Sequence, residues 1–283
     1  MPETITRFAP SPTGYLHLGH VHAAKVAHDL AREYQGRFLL RFEDIDHTRT
    51  RPEYYSAMEE DLRWLGLGWD GPALRQSTRT AAYDAALDRL KEQGAVYPCF
   101  CTRREIEEEV ARITNAPHGP EGALYPGTCR RLSAAEREAK LASGIQPAWR
   151  LDAPFAADLA GPLFFHDLRH GRVPVDSGLL GDVVLARKDI GTSYHLAVVT
   201  DDAFQQVTHV TRGEDLLPST HVHRLLQTLL GFPEPAYLHH SLVLDENGVR
   251  LAKRHGALSI RHLREEGKTP QTIRGMLPLS YYR

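Results

Sequence analysis

The chain has 283 residues, of which 42% are hydrophobic and 25% are charged, and its formal net charge is −2. These values are typical of a soluble globular protein and exclude disordered, collagen-like and coiled-coil chains. No apolar run approaches the ~20 residues of a membrane-spanning helix, and the N-terminus lacks the pattern of a secretory signal. Three cysteines are too few for a disulfide framework. We expect a cytoplasmic protein that does not contact a membrane, and a monomer.

The charge is unevenly distributed along the chain. Residues 201–249 carry seven acidic and two basic side chains, whereas residues 250–283 carry eight basic and two acidic ones. A basic end of this kind suits contact with the phosphates of a nucleic acid. A solvated helix face explains the same pattern equally well.

Strand and helix patterns alternate through the first hundred residues. Residues 4–9 and 38–42 are short apolar runs that predict buried strands. Apolar side chains at helical spacing predict helices over residues 21–34, from residue 52 to 65, and over about 79–93. This order predicts an α/β fold with a doubly wound, Rossmann-type parallel sheet.

The pattern changes near residue 96. A polar helix over residues 103–113, several Pro-Gly turns and all three cysteines indicate an inserted module without a clear sheet pattern. Apolar runs then indicate that α/β structure resumes, with one more helix among them. They lie at residues 183–186, 194–199, 207–210 and 237–244, and the helix lies at about 219–230.

Four segments follow from these changes. Residues 1–95 and 183–247 are the two halves of the Rossmann-type catalytic domain. Residues 96–182 are the inserted module, and residues 248–283 hold a basic loop and a short helical C-terminal piece.

The strand-to-helix junction at residues 7–20 has the features of a phosphate site. A Pro/Gly turn leads into a helix whose first N–H groups and positive dipole end suit an anion. His17 and His20 lie three residues apart on one side of the first turn, and Gly19 permits close approach of a ligand. Together they would donate hydrogen bonds to a phosphate as charge develops on it. The alternative is an ordinary helix start with two surface histidines.

A second basic motif, Val-Arg-Leu-Ala-Lys-Arg-His, occupies residues 249–255 and follows a turn. A mobile basic loop of this type closes over a triphosphate in some nucleotidyl-transferring enzymes. Most basic loops are merely solvated, so the motif is weak by itself.

The cysteines predict a metal site. Cys99 and Cys101 are followed 28 residues later by Cys129, and all three fall in the inserted module. Three thiolates favour Zn²⁺ in a closed tetrahedral site that needs a fourth donor, and His118 is a usual type of ligand nearby. The alternative is three reduced core cysteines without a metal.

The ordered set of motifs resembles the class I glutamyl- and glutaminyl-tRNA synthetases. Residues 7–20 are similar to the opening of these enzymes with its HIGH box, and residues 249–255 are similar to the KMSKS loop. The other similar segments are Arg-Phe-Glu-Asp-Ile-Asp at 41–46, Gly-Thr-Ser-Tyr-His-Leu-Ala at 191–197, Asp-Asp at 201–202, and Thr-His-Val-Thr-Arg-Gly-Glu-Asp at 208–215.

Departures from the glutamyl enzymes point to one branch of this family. Arg250 and Ala252 replace a Lys and a Ser of KMSKS, and Val198 stands where these enzymes usually have an Asn. The chain also ends 28 residues after His255, where they continue into anticodon-binding domains. These features resemble the truncated paralogues, the glutamyl-queuosine tRNA(Asp) synthetases, which attach glutamate to the queuosine base in the anticodon of tRNA(Asp).

Glutamate has two carboxylates and one ammonium, and the chain offers matching groups. The resemblance implies that Arg7 and Arg212 bind the carboxylates and that Glu43 binds the ammonium. We discount an ordinary ion pair between Glu43 and Arg41, because strand alternation places both on one face at the ligand-binding end of the sheet.

The remaining implied roles concern glutamate, ATP and zinc. Ser11 and Tyr194 supply hydroxyls to glutamate, beside Phe8, Ala9 and Pro10. His17, Gly19, His20 and Lys253 bind ATP, with His17, His20 and Lys253 as catalytic groups. The paralogues' pattern makes Tyr125 the fourth zinc ligand, beside Cys99, Cys101 and Cys129, with His118 as the alternative.

The function expected from the resemblance is a ligase. Without needing tRNA, the protein would form glutamyl-adenylate from glutamate and ATP, with Mg²⁺ accompanying ATP, and then transfer glutamate to queuosine of tRNA(Asp). One structural zinc ion per chain would be present. The alternatives are a truncated glutamyl-tRNA synthetase that charges the 3′ end of tRNA(Glu), and a non-enzymatic regulator that binds glutamate or tRNA.

Overall fold

The computed structural model describes residues 3–112, 118–120, 122–243 and 259–278. The strands are β1 (Ile5–Phe8), β2 (Arg37–Phe42), β3 (Leu74–Arg75), β4 (Val96–Cys99), β5 (His118–Gly119), β6 (Gly122–Ala123), β7 (Ala148–Leu151), β8 (Phe164–Asp167), β9 (Gly171–Pro174), β10 (Val184–Ala186), β11 (His209–Gly213) and β12 (Ala236–His240). The helices are α1 (Leu18–Glu33), α2 (Pro52–Trp64), α3 (Thr80–Glu92), α4 (Arg103–Arg112), α5 (Ala134–Ala142), α6 (Ala153–Ala160), α7 (Tyr194–Phe204), α8 (Leu217–Leu229), α9 (Ile260–Glu265) and α10 (Pro270–Gly275).

The central sheet is parallel over most of its width. β1 pairs with β2 and β2 with β3, while β11 pairs with β12 and β12 with β8, all in parallel. β1 and β11 lie side by side, because the backbone N–H of Thr208 donates to the carbonyl of Ile5 at 2.9 Å. The spatial order is therefore β3-β2-β1-β11-β12-β8, and antiparallel β9 completes the edge. The Rossmann-type parallel sheet predicted from the sequence is confirmed.

Helix α1 covers the centre of this sheet. Its buried face contains Val21, Ala24, Ala27 and Ala31, which pack with the apolar residues of β1 and β2. The three alanines are small enough to bring the helix close to the strands. The predicted helical spacing is buried from Val21 to Ala31, whereas Tyr34 lies beyond the end of α1 and is exposed.

One apolar run was not assigned to a strand or a helix from the sequence. Residues 194–199 are the start of helix α7 rather than a strand. Leu196, Ala197, Val198 and Val199 are all buried, because α7 packs among α3, α8 and β10. A helix buried on every side has a continuous apolar run, which does not differ from that of a buried strand.

The inserted region contains a sheet that the sequence did not reveal. β4, β7 and β10 form an antiparallel sheet in the order β10-β7-β4. β10 follows the predicted boundary at residue 182 and β7 precedes it, so this pairing crosses the boundary. Strand β8 lies within the predicted insertion at 96–182 and pairs with β12 of the central sheet. The four predicted segments remain a prediction, and strand pairing does not follow them strictly.

The C-terminal helices α9 and α10 pack on α2. Arg264 donates to Asp61 and Glu60 at 2.7 Å each, and Arg274 donates to the carbonyl of Leu65 at 2.7 Å. These two basic side chains of the 250–283 stretch are therefore used to dock the short helical piece. None of the described helices is long and apolar enough to cross a bilayer.

Candidate active site

A cavity of about 670 Å³ opens at the carboxyl ends of β1 and β11, where the strand order of the sheet reverses. This is the position at which open α/β sheets bind ligands. The described residues predicted to bind glutamate or ATP all line it, namely Arg7, Phe8, Ala9, Pro10, Ser11, His17, Gly19, His20, Glu43, Tyr194 and Arg212. A smaller cavity of about 170 Å³ shares Ser11, Glu43 and Tyr194 with it.

A buried carboxylate holds two arginines at the inner end of this cavity. Asp202 accepts from Arg7 Nε at 3.0 Å and from Arg41 Nη1 at 2.7 Å, and Arg7 also donates to the carbonyl of Thr211 at 3.0 Å. Burial disfavours the charged form of Asp202, but the two guanidinium groups outweigh it and hold its pKa below the ordinary value. Asp202 therefore stays ionised and fixes the position of Arg7.

Glu43 lies beside this group and also lines the cavity. Its carboxylate accepts from Arg41 Nη2 at 3.3 Å, so the ion pair that we discounted from the sequence is present. The backbone N–H of Glu43 donates to the carbonyl of Pro10 at 3.0 Å, which joins the two cavity-lining segments. Burial raises the pKa of Glu43, against the opposing effect of Arg41 and Arg7. A ligand cation at this carboxylate would favour its charged form.

Arg212 is a buried cation surrounded by neutral groups. It donates to His239 Nε2 at 3.2 Å, to His223 Nδ1 at 3.0 Å, to the hydroxyl of Tyr194 at 3.3 Å, and to Thr220 Oγ1. Burial, reinforced by the charge of Arg212, lowers the pKa of His223 well below its ordinary value. Among the described residues no carboxylate lies within ion-pair distance of Arg212, so its charge can be balanced by a ligand.

The two histidines of the HIGH-like motif form the N-terminal cap of α1. His17 Nδ1 accepts from the backbone N–H of Gly19 at 3.1 Å, and His20 Nδ1 accepts from the backbone N–H of His17 at 3.2 Å. The ring centroids are 3.8 Å apart. Because both Nδ1 atoms accept hydrogen bonds, each neutral ring carries its proton on Nε2. The cap therefore fixes both tautomers at the cavity wall.

Lys253 lies outside the described residues, as do the other residues from 244 to 258. The described residues on either side of this segment lie at the cavity. Val243 lines it, while Ser259 forms a β-bridge with His17 and the backbone N–H of Ile260 donates to the carbonyl of Leu16 at 2.8 Å. The position of Lys253 at the cavity stays a prediction.

The three cysteines meet at the end of β4, as the sequence predicted. The sulfur atoms of Cys99, Cys101 and Cys129 all lie within 4.8 Å of one another, and the cluster could hold a metal ion. The Tyr125 hydroxyl lies 3.5 Å from the sulfurs of Cys99 and Cys101. A hydrogen bond from Cys99 lowers the pKa of Cys129, which favours a thiolate. The side chain of His118 lies outside the described residues.

The sequence did not identify the residues that hold the arginines in place. Asp202 was noted as part of a motif, but its contact with Arg7 joins residues 195 positions apart. Thr220 and His223, in the predicted helix at about 219–230, and His239, in the run at residues 237–244, were not singled out, since each stands in an element that reads as part of the core. An acidic pair within such a run, Asp201-Asp202, is the one signal that the sequence offered.

A strand order that reverses between β1 and β11, a HIGH-like helix cap and, beside it, a cavity lined by Arg7, Glu43 and Arg212 define the catalytic core of a class I aminoacyl-tRNA synthetase. The chain matches the family described as tRNA synthetases class I (E and Q), catalytic domain, over residues 3–282.

Comparison with individual proteins agrees. A glutamyl-Q tRNA(Asp) synthetase from Rhodobacter capsulatus is 50% identical over 97% of this chain and 100% of its own length. One from Nocardia farcinica is 49% identical over 96% and 82%. The crystal structure of a glutamate-tRNA synthetase from Elizabethkingia anophelis superposes with a TM-score of 0.77 and 31% identity, over 90% of this chain and 53% of that one. This chain belongs to the glutamyl-Q tRNA(Asp) synthetase family.

Proposed function

We propose that this protein activates glutamate with ATP and transfers it to the queuosine base in the anticodon of tRNA(Asp). The activation of glutamate is supported by one observation above all: the buried charge of Arg212, which no described carboxylate balances, lies at a cavity of suitable size. The transfer to queuosine is supported by the names of two relatives, of which this chain spans 100% and 82%.

The charge of the inner cavity suits glutamate. Arg7, Arg41 and Arg212 are three buried cations, and Asp202 and ionised Glu43 are two anions, so these five side chains have a net charge of +1, while the exposed Asp215 also lines the cavity. Zwitterionic glutamate has a net charge of −1 and would neutralise this group, whereas glutamine would leave it charged. An uncompensated charge in a buried site is costly, so the site favours glutamate.

The activation step requires placement of two substrates rather than a covalent enzyme intermediate. A carboxylate oxygen of glutamate attacks the α-phosphorus of ATP, and the bond to the bridging oxygen breaks to release pyrophosphate. The Nε2–H groups of His17 and His20 would donate to the phosphate oxygens as negative charge moves along them, assisted by Lys253. Mg²⁺ would be held mainly by the phosphates. In the second step a nucleoside hydroxyl attacks the glutamyl carbonyl, and AMP leaves.

Pyrophosphate exchange tests the activation step. We expect exchange that depends on glutamate, proceeds without tRNA and is weak with glutamine. Lys253→Ala is expected to slow it by about 10²-fold, as for loss of a charged transition-state contact. Lys268→Ala removes an exposed lysine that does not line this cavity and serves as the matched control. Unchanged exchange in Lys253→Ala would remove that residue from the mechanism, and no exchange in the wild-type protein would favour a binding regulator.

The cysteine cluster fits zinc. A tetrahedral zinc ion with bonds of about 2.3 Å separates its sulfur ligands by about 3.8 Å, and the sulfurs of Cys101 and Cys129 lie 3.4 Å apart. Tyr125 is the proposed fourth ligand, because its hydroxyl contacts two of the sulfurs. When bound, the ion would join β4 to the segment around Cys129 and stabilise the inserted sheet.

Elemental analysis of protein purified without chelator is expected to find one zinc ion per chain. Cys101→Ser should lose the zinc and unfold the inserted sheet first, because a structural metal contributes its binding energy to folding. Tyr125→Phe and His118→Ala distinguish the two candidates for the fourth ligand. A zinc content well below one ion per chain would contradict the proposal.

A further inference from the structure

The partners of Arg212 form a chain of hydrogen bonds that leads away from the cavity. Arg212 Nε donates to His239 Nε2 at 3.2 Å, and His239 Nδ1 lies 2.6 Å from Asp167 Oδ2. All three side chains are buried, with 0% exposure for both Asp167 and His239. These hydrogen bonds cross β12 and connect the cavity to the β8–β9 hairpin at the sheet edge.

Arg212 and Asp167, which contact the two ring nitrogens of His239, require the same tautomer of this ring. An arginine can only donate, so Nε2 of His239 must accept and carry no proton. Asp167 is ionised: burial opposes its charged form, but hydrogen bonds from His239 and from the backbone N–H groups of Arg169 and His170 hold its pKa below the ordinary value. A carboxylate only accepts, so Nδ1 of His239 must donate to it. His239 is therefore neutral, with its proton on Nδ1.

Thr220 closes the arrangement. Its hydroxyl accepts from Arg212 Nη2, lies 2.9 Å from His239 Nε2, and can donate to the carbonyl of Leu216 at 3.5 Å. The guanidinium is thus held through two of its three nitrogens by His239 and Thr220. The remaining nitrogen donates to His223 and Tyr194.

We infer that Asp167 and His239 are positioning residues for the amino-acid substrate, because Asp167 fixes the tautomer of His239 and His239 fixes the guanidinium of Arg212. The inference rests on the proposed function, in which Arg212 binds a carboxylate of glutamate. It assigns no contact with substrate to either residue. Asp167 on β8 lies two strands away from Arg212 on β11 and acts on it only through the orientation of the His239 ring.

Three substitutions of similar size test whether Asp167 acts on Arg212 through His239. Asp167→Asn presents an amide N–H₂ to the imidazole, which favours the tautomer with its proton on Nε2 and places that proton against Arg212. His239→Leu removes the acceptor, whereas His239→Gln offers an amide oxygen near the position of Nε2. We expect the KM for glutamate in pyrophosphate exchange to rise about 10- to 100-fold in Asp167→Asn and His239→Leu, the range for loss of a hydrogen bond to a charged group. The KM for ATP should change by less than about 3-fold, and His239→Gln should recover most of the loss.

Tyr97→Phe is the control for a merely structural effect. It removes a hydroxyl that donates to the buried Asp182 at 2.6 Å, in the inserted sheet and outside the cavity. A loss of stability with no change in the KM for glutamate is the expected result for Tyr97→Phe. Equal increases of both KM values in Asp167→Asn, or no rescue by His239→Gln, would overturn the inference.

The ring tautomer gives a measurement that does not depend on turnover. Nitrogen-15 NMR of the histidine rings should show His239 with a protonated Nδ1 and an unprotonated Nε2 in the wild-type protein, and the reverse in Asp167→Asn. A proton on Nε2 in the wild type would overturn the inference even if exchange activity is present. If the wild type has the expected tautomer but no exchange, the proposed function fails while the Asp167–His239–Arg212 arrangement is supported.

Discussion

Labelled glutamate is expected to attach to tRNA(Asp) that carries queuosine, and to remain at background with tRNA(Asp) that lacks the modified base and with tRNA(Glu). Two relatives that are 50% and 49% identical to this chain are named glutamyl-Q tRNA(Asp) synthetases. The hydroxyls of the cyclopentene ring of queuosine offer the attacking oxygen, and the ester formed there should hydrolyse in mild alkali.

Blocking the 3′ terminus separates this reaction from ordinary aminoacylation. Addition of 2′,3′-dideoxyadenosine by a nucleotidyltransferase removes both terminal hydroxyls and leaves the anticodon unchanged. Labelling that survives this block and vanishes in tRNA from cells without queuosine is the expected result. Labelling that is lost on blocking, or equal labelling of tRNA(Glu), would show that the protein instead attaches glutamate to the 3′ end of a tRNA.

Asp202→Asn is expected to lower the free energy of unfolding by about 3–5 kcal/mol at pH 7, the usual cost of removing one partner from a buried ion pair. The substitution keeps the shape of the side chain but removes the carboxylate that pairs with both Arg7 and Arg41, and Arg41 keeps an ion-pair contact only with Glu43 among the contacts described. Chemical denaturation with a fixed m-value measures the difference. Glutamate binding should weaken as well, because Arg7 loses the group that holds it.

The lowered pKa of Asp202 determines how its contribution to stability depends on pH. The pKa of Asp202 is lower in the folded protein than the value of about 3.9 of an unfolded aspartate. Its contribution is therefore present in full above the unfolded pKa and is lost as the pH falls through the folded pKa. The difference between wild type and Asp202→Asn should be constant from about pH 6 to 7 and shrink as the pH falls below about 4.

The exposed pair of Asp189 with Arg187 supplies the matched control. Two hydrogen bonds of 3.0 and 2.7 Å join these side chains, but both are about half exposed or more. Asp189→Asn should cost no more than about 1 kcal/mol, because water screens an exposed ion pair. Equal losses in the two variants would show that the buried arginine cluster does not depend on Asp202.

The sequence by itself determined much of the fold and the ligand-facing part of the site. The alternation of short apolar runs with helical spacing in the first hundred residues predicted β1, α1, β2 and α2, because local periodicity and Pro or Gly at the ends decide such elements. The HIGH-like residues and the paired cysteines are local motifs. A resemblance that spans the chain could therefore predict that the HIGH-like residues meet Arg7, Glu43 and Arg212 at one cavity, and that the cysteines form a separate cluster.

The tertiary structure decided what holds these groups in place. The run at residues 194–199 became a helix because it is buried on all sides, and the inserted sheet formed from short strands that lie far apart in the chain. The contact of Asp202 with Arg7, and that of Asp167 with His239, join residues 195 and 72 positions apart. No local pattern encodes such pairs, because the burial that makes each charge require a partner exists only after the chain has folded.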